Sequence, residues 1–266
     1  YGIDADLIFI SAGPVVVQAL LGGDLQGGFA ATNAVIAAVL GGAPLVSLMS
    51  LVNRPYYRLW VQPEITRVEE LRGKTLGVSR FGSVTDNMTR ILLRKKNLEG
   101  AVNVRQFGGT TEIAAAFLHK QIAGAVISAL RVNAPMRMLV DLSELDFLYS
   151  NVVITVTRDY QRRAPETLEA FVRAYLEGVA AAHEQKEKTL KVIQKYTRLK
   201  DQKLIDELYS DSVKFLERVP RLESEAIAPI VEFMGKKPIA VETIADNSIV
   251  DRLVREGFID RLYKKR

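Results

Sequence analysis

No charged side chain occurs from Leu25 to Asn53, and this apolar stretch constrains the fold more than any other feature of the chain. It is long enough to cross a bilayer, for which about 20 apolar residues suffice. However, the run Gly41-Gly42-Ala43-Pro44 interrupts it, and glycine and proline of this kind mark turns. The interruption separates a helix over Asn33 to Leu40 from a strand over Pro44 to Val52. We therefore predict two buried elements of a globular core rather than a membrane span.

Short apolar runs alternate with helical patterns through the first half of the chain. The predicted strands are Asp6 to Ile10, Gly28 to Ala30, Pro44 to Val52, Thr75 to Val78, Val102 to Phe107, Ala125 to Ser128 and Val152 to Val156. Fully apolar strands separated by helices are typical of a mostly parallel sheet that helices cover on both faces. After Val156 the pattern changes to long charged helices, predicted over Pro165 to Lys188, Asp201 to Leu216, Glu223 to Met234 and Ser248 to Glu256.

Composition excludes several kinds of chemistry. The chain has no cysteine, which excludes disulfides, thiolate metal sites and a cysteine nucleophile. Neither of its two histidines, His119 and His183, lies in a catalytic or metal-binding motif. We place His183 on an exposed helical face. We expect the protein to bind no cofactor and no metal. The net charge of +5 comes from mixed, solvated charge without a nucleic-acid-binding motif. Basic side chains nevertheless outnumber acidic ones in residues 54–154, which favours an anionic ligand.

Small polar residues cluster in turns that follow predicted strands and open predicted helices. In open α/β sheets, ligands bind where the carboxyl ends of strands meet helix N-termini. The residues that we predict to bind a ligand are Ser11, Gly13, Thr32, Asn33, Asn53, Gly82, Ser83, Thr85, Thr110 and Ser128. Helix capping alone also explains such turns, since every helix needs an N-cap. Asn53 fits a hinge equally well, and Ser128 fits a buried strand end.

Several segments, in their order and spacing, resemble the periplasmic solute-binding proteins of the nitrate, aliphatic sulfonate and taurine importers, a family that also binds thiamine-precursor pyrimidines. The segments that carry the resemblance are Gln18-Ala19-Leu20-Leu21-Gly22-Gly23-Asp24, Leu71-Arg72-Gly73-Lys74-Thr75-Leu76-Gly77-Val78, Arg80-Phe81-Gly82-Ser83, Glu112-Ile113-Ala114-Ala115-Ala116-Phe117 and Tyr175-Leu176-Glu177-Gly178. The resemblance runs from Tyr1 to Asp260.

The resemblance implies an α/β fold of two lobes, the type II periplasmic binding protein fold, with two crossover strands. Lobe one would comprise residues 1–62 and 155–266, and lobe two residues 63–154. It implies a monomer in the periplasm or outside the cell, with a lipid anchor as an open alternative. Hinge closure would trap a small molecule, such as a sulfonate or carboxylate, between the lobes, and the closed form would dock on an ABC permease.

Two departures from the family pattern stand out. The family has a strand and a helix before the position of Tyr1, so we expect lobe one to lack these elements in this chain. The segment from Arg131 to Leu142 is several residues shorter than its family counterpart. The first departure would remove one member of a sheet and one wall of the ligand site.

Two other functions stay open at the level of sequence. One is an enzyme on the same fold, of the pyrimidine-precursor or menaquinone-pathway type; the pyrimidine-precursor synthase would need cysteines, which this chain lacks. The other is a domain that senses a ligand without transporting it. The residues favour a binding protein for a small anion, with contacts from Ser83 and Thr85.

Overall fold

A computed structural model describes residues 1–128, 132, 134–145 and 148–264. The strands are β1 (Gly27–Ala31), β2 (Leu45–Val52), β3 (Arg58–Val61), β4 (Thr75–Val78), β5 (Asn103–Gln106), β6 (Gly124–Ile127), β7 (Arg137–Asp141) and β8 (Val152–Thr157). The helices are α1 (Gly13–Gly22), α2 (Thr32–Leu40), α3 (Val84–Lys95), α4 (Thr110–Leu118), α5 (Arg158–Arg163), α6 (Pro165–Glu184), α7 (Lys186–Thr197), α8 (Gln202–Phe215), α9 (Ser224–Phe233), α10 (Ser248–Arg255) and α11 (Phe258–Tyr263).

The strands form two mixed sheets. In the first, β8 lies between β1 and β2 and runs antiparallel to both, so that β1 and β2 are parallel to each other. The second has the order β5-β4-β6-β3-β7, in which β4 is parallel to β5 and β6, whereas β3 is antiparallel to both β6 and β7. The carboxyl ends of β4, β5 and β6 therefore lie along one edge of the second sheet.

The uncharged stretch forms the centre of the first sheet and the helix beside it. Strand β2 is buried at every position, which explains why its sequence carries no charge and no alternation of apolar and polar residues. Helix α2 ends at Leu40, and the turn of Gly41 and Gly42 separates it from β2 as the sequence predicts. None of the helices in the described ranges is long and apolar enough to cross a membrane.

The strand predicted at Asp6 to Ile10 is wrong. This segment has no strand partner, and Leu7, Ile8 and Phe9 are 76%, 67% and 90% exposed. A strand is stable when a neighbour satisfies its backbone N–H and C=O groups and covers its apolar face. Neither condition is met here, because the neighbour of β8 on this side of the sheet is β1 and not the N-terminal segment.

Two connections join the sheets. The first, residues 53–57, links β2 to β3, and the second leaves β7 and returns to β8. By its pairing with β6 and β7, strand β3 belongs to the second sheet, four residues before the boundary predicted at residue 62. The division into lobes 1–62 plus 155–266 and 63–154 otherwise stays a prediction, and the start of the short segment at Arg131 lies outside the described residues.

The long helix predicted from Pro165 to Lys188 is two helices. Helix α6 ends at Glu184, and α7 begins at Lys186 after a non-helical residue, Gln185, with φ −126° and ψ 66°. Apolar residues of α6 cover the outer face of the first sheet together with α10, so these helices brace that sheet. Helix α8 runs back towards the second sheet and contributes to the candidate site.

Candidate functional site

Helix N-termini converge at the edge where the two sheets meet. Helix α2 begins at Thr32 directly after β1, and α3 begins after the turn that follows β4, with Ser83 as its N-cap. Helix α4 begins at Thr110, four residues after β5 ends at Gln106. The sequence predicted helix starts at Asn33, Val84 and Thr111, within one residue of those observed, and they follow strand ends because the chain must turn there to cover the sheet.

Asn33 connects the two groups of turns directly. Its side-chain amide nitrogen donates hydrogen bonds to the carbonyl oxygens of Gly82 at 2.7 Å and of Ser83 at 3.4 Å. Ser11 and Gly109 also approach closely, since a Cβ added at Gly109 would lie 3.2 Å from the Cβ of Ser11. Residues that are far apart in the sequence thus form one junction, whose role as a ligand site stays a prediction.

The amide oxygen of Asn33 lacks a partner. Asn33 is 4% exposed, and its Oδ1 atom is buried without a hydrogen bond in the described part of the chain. A buried amide oxygen without a donor is unfavourable by about 1–3 kcal/mol. This atom is therefore a candidate acceptor for a donor group of a ligand at the junction.

The hydroxyls of Ser79, Ser83 and Thr85 form a closed triangle. The Ser79 hydroxyl lies 3.0 Å from that of Ser83 and 3.1 Å from that of Thr85, and the latter two are 2.8 Å apart. Thr85 also accepts the Ser79 backbone N–H at 3.0 Å, and Ser83 accepts the Asp86 N–H at 3.3 Å. The triangle fixes the start of α3, so these hydroxyls have partners inside the protein.

A second chain of hydroxyls joins the first sheet to the connections. Ser150 lies 2.8 Å from both Thr32 and Ser50, measured between hydroxyl oxygens, and Ser50 donates to the Asn53 amide oxygen at 2.6 Å. Thr32 is 1% exposed and is held in this chain. The sequence reasoning missed Ser50 and Ser150, because a hydroxyl within an apolar run gives no sign of its partner.

The contacts of Asn53 are those of a residue that fixes a connection. Its side-chain nitrogen donates to the carbonyl oxygen of Arg221 at 3.1 Å, and its backbone N–H donates to Glu217 at 3.1 Å. Burial raises the pKa of Glu217, and the Asn53 N–H and the charge of Arg54 oppose that rise. These contacts favour the hinge alternative for Asn53, while its role in ligand binding stays a prediction.

A cavity of about 690 Å³ lies between α8 and the β3–β7 edge of the second sheet. Ser128 lines it, together with Arg58, Trp60 and Met138 from the sheet side. The α8 side contributes Lys203, Leu204, Asp206, Glu207, Leu208, Ser210 and Asp211. The sequence analysis identified Ser128 but not the others, because most of them come from a helix that is distant in the sequence.

Arg58 organises the floor of this cavity. Its guanidinium donates two hydrogen bonds of 3.0 Å to Asp211, one of 3.2 Å to Asp141 and one of 3.0 Å to the carbonyl oxygen of Ser128. The hydrogen bonds to Asp211 raise the pKa of Arg58. Burial opposes this rise, and the charges of both carboxylates add to it. Burial tends to raise the pKa of Asp141, but the hydrogen bonds from Ser143 and the charge of Arg58 together outweigh this effect and lower that pKa.

The predicted site residues fall into three groups. Those at the junction are Ser11, Gly13, Thr32, Asn33, Gly82, Ser83, Thr85 and Thr110; Ser128 lies at the cavity and Asn53 at the first connection. Ser11, Gly82 and Thr110 are exposed, whereas Ser83 and Thr85 are 3% and 7% exposed. Gly13 packs against Ala31 so closely that a Cβ would collide with it, and Gly82 has a φ of +77°. This geometry shows where the residues lie, and their roles in ligand binding stay predictions.

Comparison with known proteins gives a family match and a fold. The family model described as NMT1/THI5 like matches residues 1–189. Among curated proteins, no significant match is found.

Solved structures align with most of the chain at low identity. The periplasmic aliphatic sulphonate binding protein SsuA from Escherichia coli is 18% identical, with 94% of this chain and 76% of that chain covered and a TM-score of 0.68. The ligand-binding component of an ABC-type import system from Staphylococcus aureus is 13% identical, with 92% and 87% covered and a TM-score of 0.71.

A gene product from Candida albicans, described as having the generic periplasmic binding protein fold, is 15% identical, with 92% of this chain and 82% of that chain covered and a TM-score of 0.63. At these identities the alignments show the fold alone. The two-sheet α/β architecture predicted from the sequence, that of the periplasmic binding proteins, is thus confirmed.

Proposed function

The chain belongs to the NMT1/THI5-like family, and from this premise we propose that it is the substrate-binding component of an ABC importer. It captures a small solute at the junction between two lobes, closes around it by rotation at the two connections, and then docks on the membrane permease. Closure is a shift between open and closed populations that the solute drives by binding the closed form more tightly. The protein acts as a monomer in the periplasm or outside the cell.

The Asn33–Gly82 hydrogen bond is the observation that carries this proposal. It connects α2, which packs on the first sheet, to the turn after β4 of the second sheet, at a point where helix N-termini meet. A contact of this kind forms and breaks when two lobes close and open. The unpaired Asn33 oxygen beside it accepts hydrogen bonds, so a donor group of the solute, such as a hydroxyl or an ammonium group, would favour the closed form by binding there.

The solute is a small organic anion, such as a sulfonate or a carboxylate. The starts of α2, α3 and α4 direct backbone N–H groups and the positive ends of helix dipoles to the junction. The Escherichia coli relative is by name an aliphatic sulphonate binding protein, which supports the same chemical class. We assign contacts with the anionic group to Ser11 and Thr110 and a contact with a donor group of the solute to the Asn33 oxygen, with Ser83 and Thr85 shaping the start of α3.

A binding screen tests the proposal. Thermal shift and calorimetry would compare alkanesulfonates, small carboxylates and neutral pyrimidines with the purified protein. We expect saturable binding of at least one anion and weaker binding after Asn33→Ala, whereas Asn103→Ala, which changes an exposed residue of β5, should leave binding unchanged. Tight binding of a neutral heterocycle that Ser83→Ala leaves intact would overturn the anionic assignment.

A second variant distinguishes solute binding at the junction from solute binding in the cavity beside Arg58. Leu208→Trp adds volume to the wall of the cavity and leaves the junction residues unchanged. If the solute binds at the junction, Leu208→Trp should retain affinity and Asn33→Ala should lose it. The opposite pattern would move the site to the cavity beside Arg58.

A further inference from the structure

Helix α7 has no buried side chain, although it is a full 12 residues long. It packs on α6 and α8 with a partly buried face that includes Thr189, Leu190 and Ile193. Isolated helices of this length are marginal in water, so packing of one face normally stabilises them. The opposite face of α7 is exposed, and its composition is unusual for a solvated surface.

The free face, which we call the α7 face, consists of Lys188, Lys191, Val192, Lys195 and Tyr196. At 100° per residue these five positions fall within about 140° of the helix circumference. All five side chains are exposed, including Val192 at 46% and Tyr196 at 66%. The face therefore presents an apolar pair beside three lysines, whereas a solvated face usually carries polar residues throughout.

The α7 face itself carries three lysines and no carboxylate, whereas its surroundings carry both signs of charge. Arg198, Lys200 and Lys203 follow within two turns' length of chain and are exposed, as are Glu187 before the face and Asp201 after it, and Lys191 lines a pocket that includes Glu187 and Asp206. Within the described residues, no carboxylate lies within 4.0 Å of the charged nitrogens of these residues or of the α7 face lysines. The Lys195 ammonium instead lies 5.3 Å from the centre of the Tyr196 ring. The lysines of the α7 face thus form no close ion pair in the described part of the chain.

We propose that the α7 face docks on the surface of an anionic lipid bilayer. Lysines attract the phosphates of anionic headgroups, and their long stems let them reach the headgroups while neighbouring apolar groups enter the acyl boundary. Tyrosine favours that boundary because it is apolar with a polar tip. Nucleic acid would account for the lysines but not for Val192, which has no stacking surface to offer a base.

This docking does not depend on the solute or on the junction between the sheets. It would hold the protein on a membrane through one helix and leave the junction free. Failure of the lipid test would therefore leave the proposed solute-binding function untouched, and failure of the solute screen would leave the lipid test valid.

Co-sedimentation with vesicles tests the proposal. Wild-type protein would be mixed with vesicles of phosphatidylglycerol and phosphatidylcholine in equal parts, and with phosphatidylcholine alone. We expect binding to the anionic vesicles that weakens with added salt. A triple variant should bind the anionic vesicles with a partition coefficient about a hundredfold lower, at about fivefold for each lysine. Its substitutions are Lys188→Gln, Lys191→Gln and Lys195→Gln.

A matched triple variant controls for net charge. Lys74→Gln, Lys96→Gln and Lys237→Gln remove the same charge from exposed positions elsewhere, and this variant should bind anionic vesicles nearly as well as wild type. Circular dichroism and thermal unfolding would establish that both triple variants fold. Equal loss in the two triple variants, or equal wild-type binding to both kinds of vesicle, would overturn the proposal.

Two further measurements test whether the apolar side chains of the α7 face enter the bilayer and whether the face binds nucleic acid instead. Val192→Ser with Tyr196→Ser should weaken the binding that remains at high salt, where ionic attraction is screened. Unchanged binding at high salt would contradict contact with the acyl boundary. A duplex DNA that displaces the protein from anionic vesicles at equal phosphate concentration would assign the α7 face to nucleic acid and overturn the lipid proposal.

Discussion

Asn33 and Gly82 lie 49 positions apart in the sequence, yet the Asn33 side-chain nitrogen donates a hydrogen bond of 2.7 Å to the Gly82 carbonyl oxygen. This bond connects the helix that starts after β1 to the turn that starts after β4, and thus an element of one sheet to an element of the other. Gly82 suits this position because the turn requires a φ of +77°, a backbone conformation that residues with a side chain rarely adopt.

Asn33→Ala should favour a more open arrangement of the two sheets. The variant removes a hydrogen bond worth about 1 kcal/mol, so the closed population and the affinity for a bound solute should fall about fivefold. Small-angle scattering of the free protein should report a larger radius of gyration. Asn103→Ala is the control, and an unchanged radius in Asn33→Ala would mean that this bond does not hold the sheets together.

Ser83→Ala should destabilise the start of α3. Ser83 accepts the Asp86 N–H as the N-cap of the helix and shares the hydroxyl triangle with Ser79 and Thr85. Loss of such a cap costs about 1 kcal/mol of unfolding free energy, which urea denaturation measures. Ser248→Ala changes an exposed serine at the start of α10 that caps nothing through its side chain, and should cost far less. Equal losses would contradict the capping role.

Arg58 and Asp211 should show measurable coupling in a double-mutant cycle. Their two hydrogen bonds of 3.0 Å connect β3 to α8, and the side chains are 17% and 23% exposed. We expect Arg58→Met and Asp211→Asn to couple by about 1–2 kcal/mol, between the values of exposed and buried pairs. Urea unfolding of the four proteins gives the coupling.

The pair of Arg94 and Glu99 provides the reference for that cycle. It has a similar distance of 3.1 Å, but its side chains are 52% and 59% exposed. Solvent screens such a pair, so its coupling should not exceed about 0.5 kcal/mol. Equal coupling in both cycles would mean that Arg58 contributes no more than an ordinary surface charge.

Much of the fold followed from local sequence. The uncharged stretch gave a helix and a buried strand at the predicted places, since the break at Gly41 and Gly42 is a property of those residues themselves. Helix starts were predicted at Asn33, Val84 and Thr111, within one residue of those observed, because capping and turn chemistry act over a few neighbours. The ligand-binding role assigned to the turns at these starts stays a prediction.

The remaining features depend on partners distant in the sequence. Arg58 binds Asp211, 153 positions away, and nothing in either segment indicates the other. Ser150 connects Thr32 and Ser50 in the same way. The strand predicted at Asp6 to Ile10 failed for the converse reason, since an apolar run forms a strand when a neighbour pairs with it.

Leu7→Ser and Phe9→Ser should change stability by less than about 0.5 kcal/mol each, because these exposed side chains lose little when removed. Leu20→Ala, at a position 1% exposed in the same part of the chain, should cost about 3 kcal/mol by urea unfolding. Removal of the exposed apolar groups should also lower aggregation, which light scattering detects. A large loss in Phe9→Ser would mean that the segment pairs with a strand in solution.

His183 should make the protein less stable in mild acid. Its Nε2 atom is buried beside the Tyr263 ring and has no hydrogen-bond partner among the described residues. The sequence-based placement of His183 on an exposed helical face is therefore wrong. Burial and the charge of Arg218 lower its pKa, against smaller opposing effects of Leu216 and Glu184. The unfolded chain then binds the proton more tightly, so unfolding free energy should fall as pH drops through about 6.5 and below. His183→Gln should lose less stability than wild type between pH 7 and pH 5, as urea unfolding at each pH measures. Identical pH profiles for wild type and His183→Gln would show that this histidine is solvated in the folded protein.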